Sequence, residues 1–344
     1  MRSARLAVLV AALGACTPEV PAPVWEGEHL HYGTTTRQPI CRGSFHLQER
    51  HAVELAALLG FELPDVIHFT RISFRQIRKY CRGRVRGCAW LDEPFAFAAT
   101  SSFDFHEIAH IVASLGGLGG PDAFVEGFAE VFDDLEDPRF GGAPLVEVLG
   151  GELDSEAAYH TAGRFVRFMI ERHELATVVA FMRAAPRDAE REVFAPIFAE
   201  VFDEPLEAAI AAFAMYPQCS DTDNRIAVLD CSLPLEPWDG GALTIAAEVA
   251  CERDDVLGPD AQRRMSMTRG FEIAAAGRYR LTVADAAGTS QVRIVRCGSC
   301  WDGLSVDVPA GEPVERELAA GRYYVQFARR VDEPGEVSLV IEAP

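Results

Sequence analysis

Residues 103–110 read Phe-Asp-Phe-His-Glu-Ile-Ala-His, and within them His106, Glu107 and His110 have the types and spacing of a metal site. Residues four apart lie on one face of a helix, one turn from each other, so both imidazoles can reach a single ion. Glu107, next to the first His, then sits beside that ion, where it can take a proton from water. This set of groups suits water activation at bound Zn2+. A tetrahedral zinc site needs at least one further protein ligand, which the rest of the chain has to supply.

Downstream, two carboxylates one helical turn apart fall in Val125-Glu126-Gly127-Phe128-Ala129-Glu130. His-Glu-x-x-His followed by Glu-Gly-x-Ala resembles the gluzincin metallopeptidases, the group that includes thermolysin and the zinc aminopeptidases. The resemblance implies Glu126 as the third zinc ligand. It implies Glu130, one turn later, as the acceptor for the other ring nitrogen of His106. Fifteen residues separate His110 from Glu126, fewer than in thermolysin or the aminopeptidases. Spacing alone favours Glu130, and the two carboxylates share a helix face, so exchanged roles stay open. Further on, Tyr159-His160-Thr161-Ala162-Gly163-Arg164-Phe165-Val166 resembles a downstream helix of secreted gluzincin-like peptidases. That implies Tyr159 as the group that stabilises the oxyanion, with His160 as the alternative. No Gly-x-Met-Glu-Asn sequence, the amine-binding motif of the aminopeptidases, occurs, which favours an endopeptidase. The implied activity is zinc-dependent hydrolysis of a peptide or protein substrate. The contrasting reading is a non-catalytic surface lipoprotein with a structural zinc site and a partner-binding β-sandwich.

These side chains need a scaffold, and the apolar pattern outlines one. Residues 46–59 read as a helix stopped by Gly60, 66–72 as a strand, 73–80 as a short helix and 95–100 as a second strand. The motif helix is expected over 102–115, capped by Ser101 or Ser102. Gly116 to Pro121 ends it, and Asp122 caps a helix over 123–135. Helices follow over 155–173, 175–183, 190–202 and 206–215. The strand at 95–100 lies beside the motif helix and can pair with an extended substrate; Phe97 and Phe103 would then stand near the cleft, or pack in the core. From Gly240 the period changes to 2, with apolar runs at 243–250, 278–283, 291–295, 323–327 and 337–341. Ala276-Gly277-Arg278-Tyr279 recurs as Ala320-Gly321-Arg322-Tyr323, each leading into a strand. This half resembles the β-sandwiches appended to secreted bacterial peptidases. The expected fold is an α+β zincin-like metallopeptidase domain, a small mixed sheet plus helices, over 25–216. A linker over 217–239 and an all-β sandwich domain over 240–344 follow.

Residues 1–15 have a short basic start, a short apolar run and small residues before Cys16, as in a secretory signal peptide too short to span a membrane. Leu13-Gly14-Ala15-Cys16 resembles a bacterial lipobox, which implies lipidation of Cys16, with residues 16–24 as a tether. The expected location is an exported lipoprotein anchored to the bacterial membrane, the outer one if the cell is Gram-negative. Eight further Cys suit disulfides in an exported chain. Cys81–Cys88 and Cys219–Cys231 are the expected local pairs, with Cys297 or Cys300 available to Cys251. The net charge of −20 argues against nucleic acid or an anionic membrane surface as a partner.

Overall fold

The computed structural model describes residues 20–81, 86–99, 101–133, 142–218, 225–298 and 305–343. The signal peptide, Cys16, Cys219 and Cys300 lie outside the described residues. The fold is mixed α/β, with one five-stranded sheet, a set of helices and two further four-stranded sheets arranged as a β-sandwich.

The first sheet is built from β1 (Pro23–Glu26), β2 (Leu30–Thr34), β3 (Ile67–Arg71), β4 (Gly87–Trp90) and β5 (Phe95–Ala98), in the order β1-β2-β3-β5-β4. β2, β3 and β5 run parallel, while β1 and β4 are antiparallel to their neighbours. α1 (Gly43–Leu58) is the crossover between β2 and β3 and buries Gln48, Ala52, Leu55 and Ala56. A short α2 (Ile77–Tyr80) leads through the Cys81–Cys88 disulfide into β4. β5 is therefore flanked on both sides, and the sheet edge beside the motif helix is β4, not the 95–100 strand. Four residues that include Gly87 and Cys88 carry no strand pattern of their own; pairing with β5 makes them a strand. Phe97 points away from the cleft, stacked on Tyr80 and tilted against Trp90 with ring centroids 4.8 and 4.9 Å apart.

The helices are α3 (Phe105–Leu115), α4 (Asp122–Val131), the short α5 (Leu145–Val148), α6 (Glu156–Ala184), α7 (Arg191–Phe202) and α8 (Leu206–Phe213). α6 merges the two helices expected over 155–173 and 175–183 across a kink at Glu174, which has φ 68°. α4 packs on α6 at unusually close range, and two glycines permit it. A Cβ at Gly127 would run into the Ala162 carbonyl and lie 2.7 Å from Val166 Cγ2, while one at Gly163 would lie 2.8 Å from Glu130 Cβ. The glycine of Glu-Gly-x-Ala thus has a packing reason, and it fixes how Glu126 and Glu130 face α3. Gly127→Val should destabilise the chain by about 3 kcal/mol through overpacking, visible as a clear drop in Tm; an unchanged melt would contradict this contact.

The sandwich pairs the sheet β10-β9-β12-β7 with the sheet β11-β8-β13-β6, all antiparallel. Its strands are β6 (Ala242–Val249), β7 (Arg264–Ile273), β8 (Gly277–Ala284), β9 (Gln291–Arg296), β10 (Val306–Val308), β11 (Val314–Leu318), β12 (Gly321–Arg330) and β13 (Gly335–Glu342). Alternate side chains such as Leu243, Ile245, Ala247 and Val249 fill the space between the sheets. The Ala-Gly-Arg-Tyr repeat has a structural basis. Tyr279 donates to the Ala275 carbonyl (2.6 Å) and Tyr323 to the Ala319 carbonyl (2.9 Å), each pinning the turn four residues upstream.

The two halves are stapled together. Cys41 is bonded to Cys251 and Cys231 to Cys297, so the expected Cys219–Cys231 pair is not formed, and Cys251 pairs with neither Cys297 nor Cys300. Local sequence separation is a poor guide here because the fold brings distant Cys together, over 210 residues in the first case. The described part of the 217–239 segment is packed rather than free. Ile226 N donates to the Val131 carbonyl (2.6 Å), the buried Arg225 bonds Tyr324 and Asp230, and Leu235 bridges to Gly270.

Candidate metal centre

α3 starts at Asp104, whose carboxylate accepts from Glu107 N at 3.0 Å. Asp104 is therefore the cap, in place of Ser101 or Ser102. Ser102 is instead buried and bonded to the Pro259 carbonyl. The chain just ahead of α3 is held by Tyr32, which donates to the Ser102 carbonyl (2.8 Å), and by Gln48, which accepts from Asp104 N (3.0 Å). The helix that carries His106, Glu107 and His110 therefore leaves a fixed point.

α3 and α4 lie side by side and bring three ligand atoms together. His106 Nε2 is 3.1 Å from His110 Nε2 and 3.3 Å from Glu126 Oε2, and His110 Nε2 is 3.1 Å from Glu126 Oε2. Ligands bound at about 2.0–2.1 Å around a tetrahedral zinc stand roughly 3.3–3.4 Å apart, so the residues present fit such an ion. This is the group of His, Cys, Asp and Glu among the described residues whose ligand atoms converge in that way. Glu130 Oε1 lies 3.5 Å from His106 Nδ1, on the far side of that ring. A proton on Nδ1 facing Glu130 leaves Nε2 with its lone pair toward the centre. The geometry thus puts Glu126 with both Nε2 atoms and Glu130 behind His106.

Charge at the site follows from this packing. Burial works to raise the pKa of Glu126, but His110 and His106 beside it hold the carboxylate well below its usual range. Burial works against a charged His106, yet its hydrogen bond to Glu126 and the charges of Glu130 and Glu107 raise its pKa well above that of free imidazole. Glu107 is 8% exposed, and its acid form is favoured by burial first and by the neighbouring Asp104 charge second. Asp104 is itself pushed up to about 7 by burial and by Asp133. Gly87 on the edge strand makes room for Glu107, since a Cβ there would lie 2.6 Å from Glu107 Oε1.

The centre opens into a cleft of about 1140 Å³. Tyr159 lines it, with its ring centroid 6.1 Å from that of His106. Burial and the carboxylates of Glu126, Glu107 and Glu130 raise the phenol's pKa, so Tyr159 keeps its proton and remains a donor. His160, one residue on, is buried at 4% exposure and does not line the cleft. Neighbours on a helix point about 100° apart, so α6 presents Tyr159 to the cleft and turns His160 into the interior. Phe103 lines the cleft while packing against Phe105. Ala261 and Gln262 from the sandwich also line it, which no local feature of the sequence signals.

Behind α3, His51 sits in a closed environment. Its Nε2 faces the Phe132 carbonyl at 3.0 Å and its ring packs on Phe105, centroids 4.6 Å apart. Burial pushes its pKa down from 6.5 to about 4; the Phe132 hydrogen bond opposes this and Arg225 adds to it. Above pH 6.5 His51 is neutral folded or unfolded and costs nothing. As pH falls toward 4 the unfolded chain takes up a proton that the folded chain refuses, so stability drops, by about 3 kcal/mol in total. In metal-stripped protein, Tm should fall further between pH 7 and pH 4.5 for wild type than for His51→Gln. Equal falls would contradict this account of His51.

No protein-family model matches the chain, and no curated protein matches it. Among solved structures, the pre-peptidase C-terminal domain of a Bacillus anthracis collagenase is 15% identical at TM-score 0.22, covering 28% of this chain and 86% of that one. The Yersinia pseudotuberculosis-derived mitogen is 9% identical at TM-score 0.22, over 30% and 86% of the two chains. The TmCBM61 structure in complex with β-1,4-galactotriose is 12% identical at TM-score 0.18, over 29% and 67%. Likenesses of this size say nothing about what the chain binds.

Proposed function

We propose that the chain is a zinc metallopeptidase of gluzincin type, with a zincin-like N-terminal domain that cuts within polypeptides. One observation carries this reading: three ligand atoms converge at 3.1–3.3 Å beside a buried carboxylate, Glu107, in an open cleft. His106, His110 and Glu126 would hold the metal. Bound there, zinc would supply a Lewis acid that polarises a carbonyl and lowers the pKa of water toward ~7. Glu107 takes the proton of the attacking water and passes it to the departing amine. Tyr159 donates its hydroxyl proton in a hydrogen bond to the oxygen that gains charge. Glu130 holds the His106 tautomer. β4 offers a sheet edge next to Glu107 along which an extended peptide can add as a further strand. Three disulfides among the described residues support export, and Leu13 to Cys16 support a lipid anchor at Cys16.

The test is peptide-library digestion by metal-stripped protein with and without added zinc, read by mass spectrometry. Internal cleavages that appear on zinc addition are expected. One zinc bound per chain with no cleavage of any peptide would overturn the peptidase reading in favour of a structural metal.

A further inference from the structure

We infer that the loop between β6 and β7 of the sandwich forms one wall of the substrate cleft and contacts an extended polypeptide bound there. This rests on the peptidase reading above. Residues 256–260 of the loop are buried, whereas Ala261, Gln262 and Arg263 are exposed. The buried part is fastened to the N-terminal domain at several points. Cys41 N donates to the Gly258 carbonyl (2.8 Å), and the Ser44 hydroxyl donates to the Gly258 carbonyl and accepts from Gly258 N (2.9 Å each). Ser102 donates to the Pro259 carbonyl through its amide (3.0 Å) and through its hydroxyl (2.9 Å). The Cys41–Cys251 disulfide closes the same seam. Gly258 has φ 137°, and a Cβ there would stand 2.8 Å from Met265 Cα, so a side chain does not fit.

The tip is braced from its own side. Asp260 is 4% exposed, accepts from Arg264 N (2.6 Å) and Arg264 Nε (2.7 Å), and its amide donates to the Arg264 carbonyl (2.8 Å). Five residues, Asp260 to Arg264, are thus closed into a rigid turn whose cleft-facing positions are Ala261 and Gln262. Both line the cleft that holds His106, Glu107 and Tyr159. Ser102, to which the loop is bonded, comes four residues before His106. The loop therefore stands at the N-terminal end of the motif helix. A rigid, polar-tipped turn on the rim of a cleft can select among side chains of an extended polypeptide without touching the reacting atoms. The sandwich is on this view part of the substrate site rather than a spacer.

The experiment compares wild type with Ala261→Trp and Gln262→Ala in the full chain, using a peptide library and a short peptide too small to reach the loop. Ala261→Trp should raise KM for long peptides by at least about tenfold and change the residues preferred on one side of the cut, with kcat, zinc content and Tm kept. Gln262→Ala should change the preference alone, and the short peptide should be cut equally by all three. Wild-type cleavage with identical profiles in both variants would overturn this assignment and leave the peptidase reading standing. Loss of zinc or of Tm in Ala261→Trp, with long and short peptides affected alike, would overturn it in favour of a purely structural loop. No cleavage by wild type would overturn the peptidase reading and this assignment with it.

Discussion

Glu107→Gln is expected to cut peptide hydrolysis by about 10²–10⁴-fold, the range for loss of a general acid–base group, while zinc stays bound. The amide has the shape of the carboxylate and fits the space left by Gly87, but it cannot accept the proton of the attacking water. Folding should not suffer, because Glu107 is buried next to Asp104, whose charge opposes its ionisation. Gln places no charge in that buried position, so Tm should hold or rise. The loss should appear in kcat, with KM little changed, since the group works in the transition state. The measurement is a progress curve on the best library peptide together with metal analysis of the same sample. Activity within twofold of wild type would remove Glu107 from the chemistry.

The second large effect separates the two carboxylates of α4. Glu126→Ala is expected to strip the chain of zinc, because it takes away one of three converging ligand atoms. Glu130→Ala should keep most of the metal and lower affinity by about 10–100-fold, as loss of a partner behind a metal-binding His does. The distances underlie this ordering: Glu126 Oε2 is 3.1 and 3.3 Å from the two Nε2 atoms, while Glu130 Oε1 is 3.5 Å from His106 Nδ1. Competition with a metal indicator reads both affinities. The reverse order would exchange the roles, which the shortened stretch between His110 and Glu126 leaves open from spacing alone.

Helix periodicity made the His106–His110 pair legible, whereas Glu126 was singled out only by the resemblance to the gluzincin motif. His106 and His110 must share a face, and so must Glu126 and Glu130, whatever surrounds them. β6, β8, β9, β12 and β13 were legible for the same reason at period 2, while β10 and β11, with three and five residues, were too short to show a period. β7 was not legible, because Met265 and Met267 carry its alternation among Arg, Ser and Thr and Gly270 interrupts it. β4 was not, because pairing with β5 and the Cys81–Cys88 bond make it a strand and not its own four residues. The cap at Asp104 went to Ser101 or Ser102 because Ser102 has a better use, bonded to a carbonyl 157 residues away. The same distance explains the cysteines and the cleft wall. Cys41–Cys251 and the Ser44, Ser102 and Gly258 contacts are properties of the assembled fold, and no window of sequence contains both partners. The reason for Gly127 emerged only once α6 was in place, with the Ala162 carbonyl where a Cβ would stand.

X-ray absorption at the zinc edge of the purified, zinc-loaded chain shows whether the metal sits on His106, His110 and Glu126. A first shell of nitrogen and oxygen at about 2.0–2.1 Å with imidazole scattering behind it is expected, altered in His110→Ala. Sulfur at about 2.3 Å, or a first shell identical in wild type and His110→Ala, would place the metal elsewhere and contradict that set of ligands.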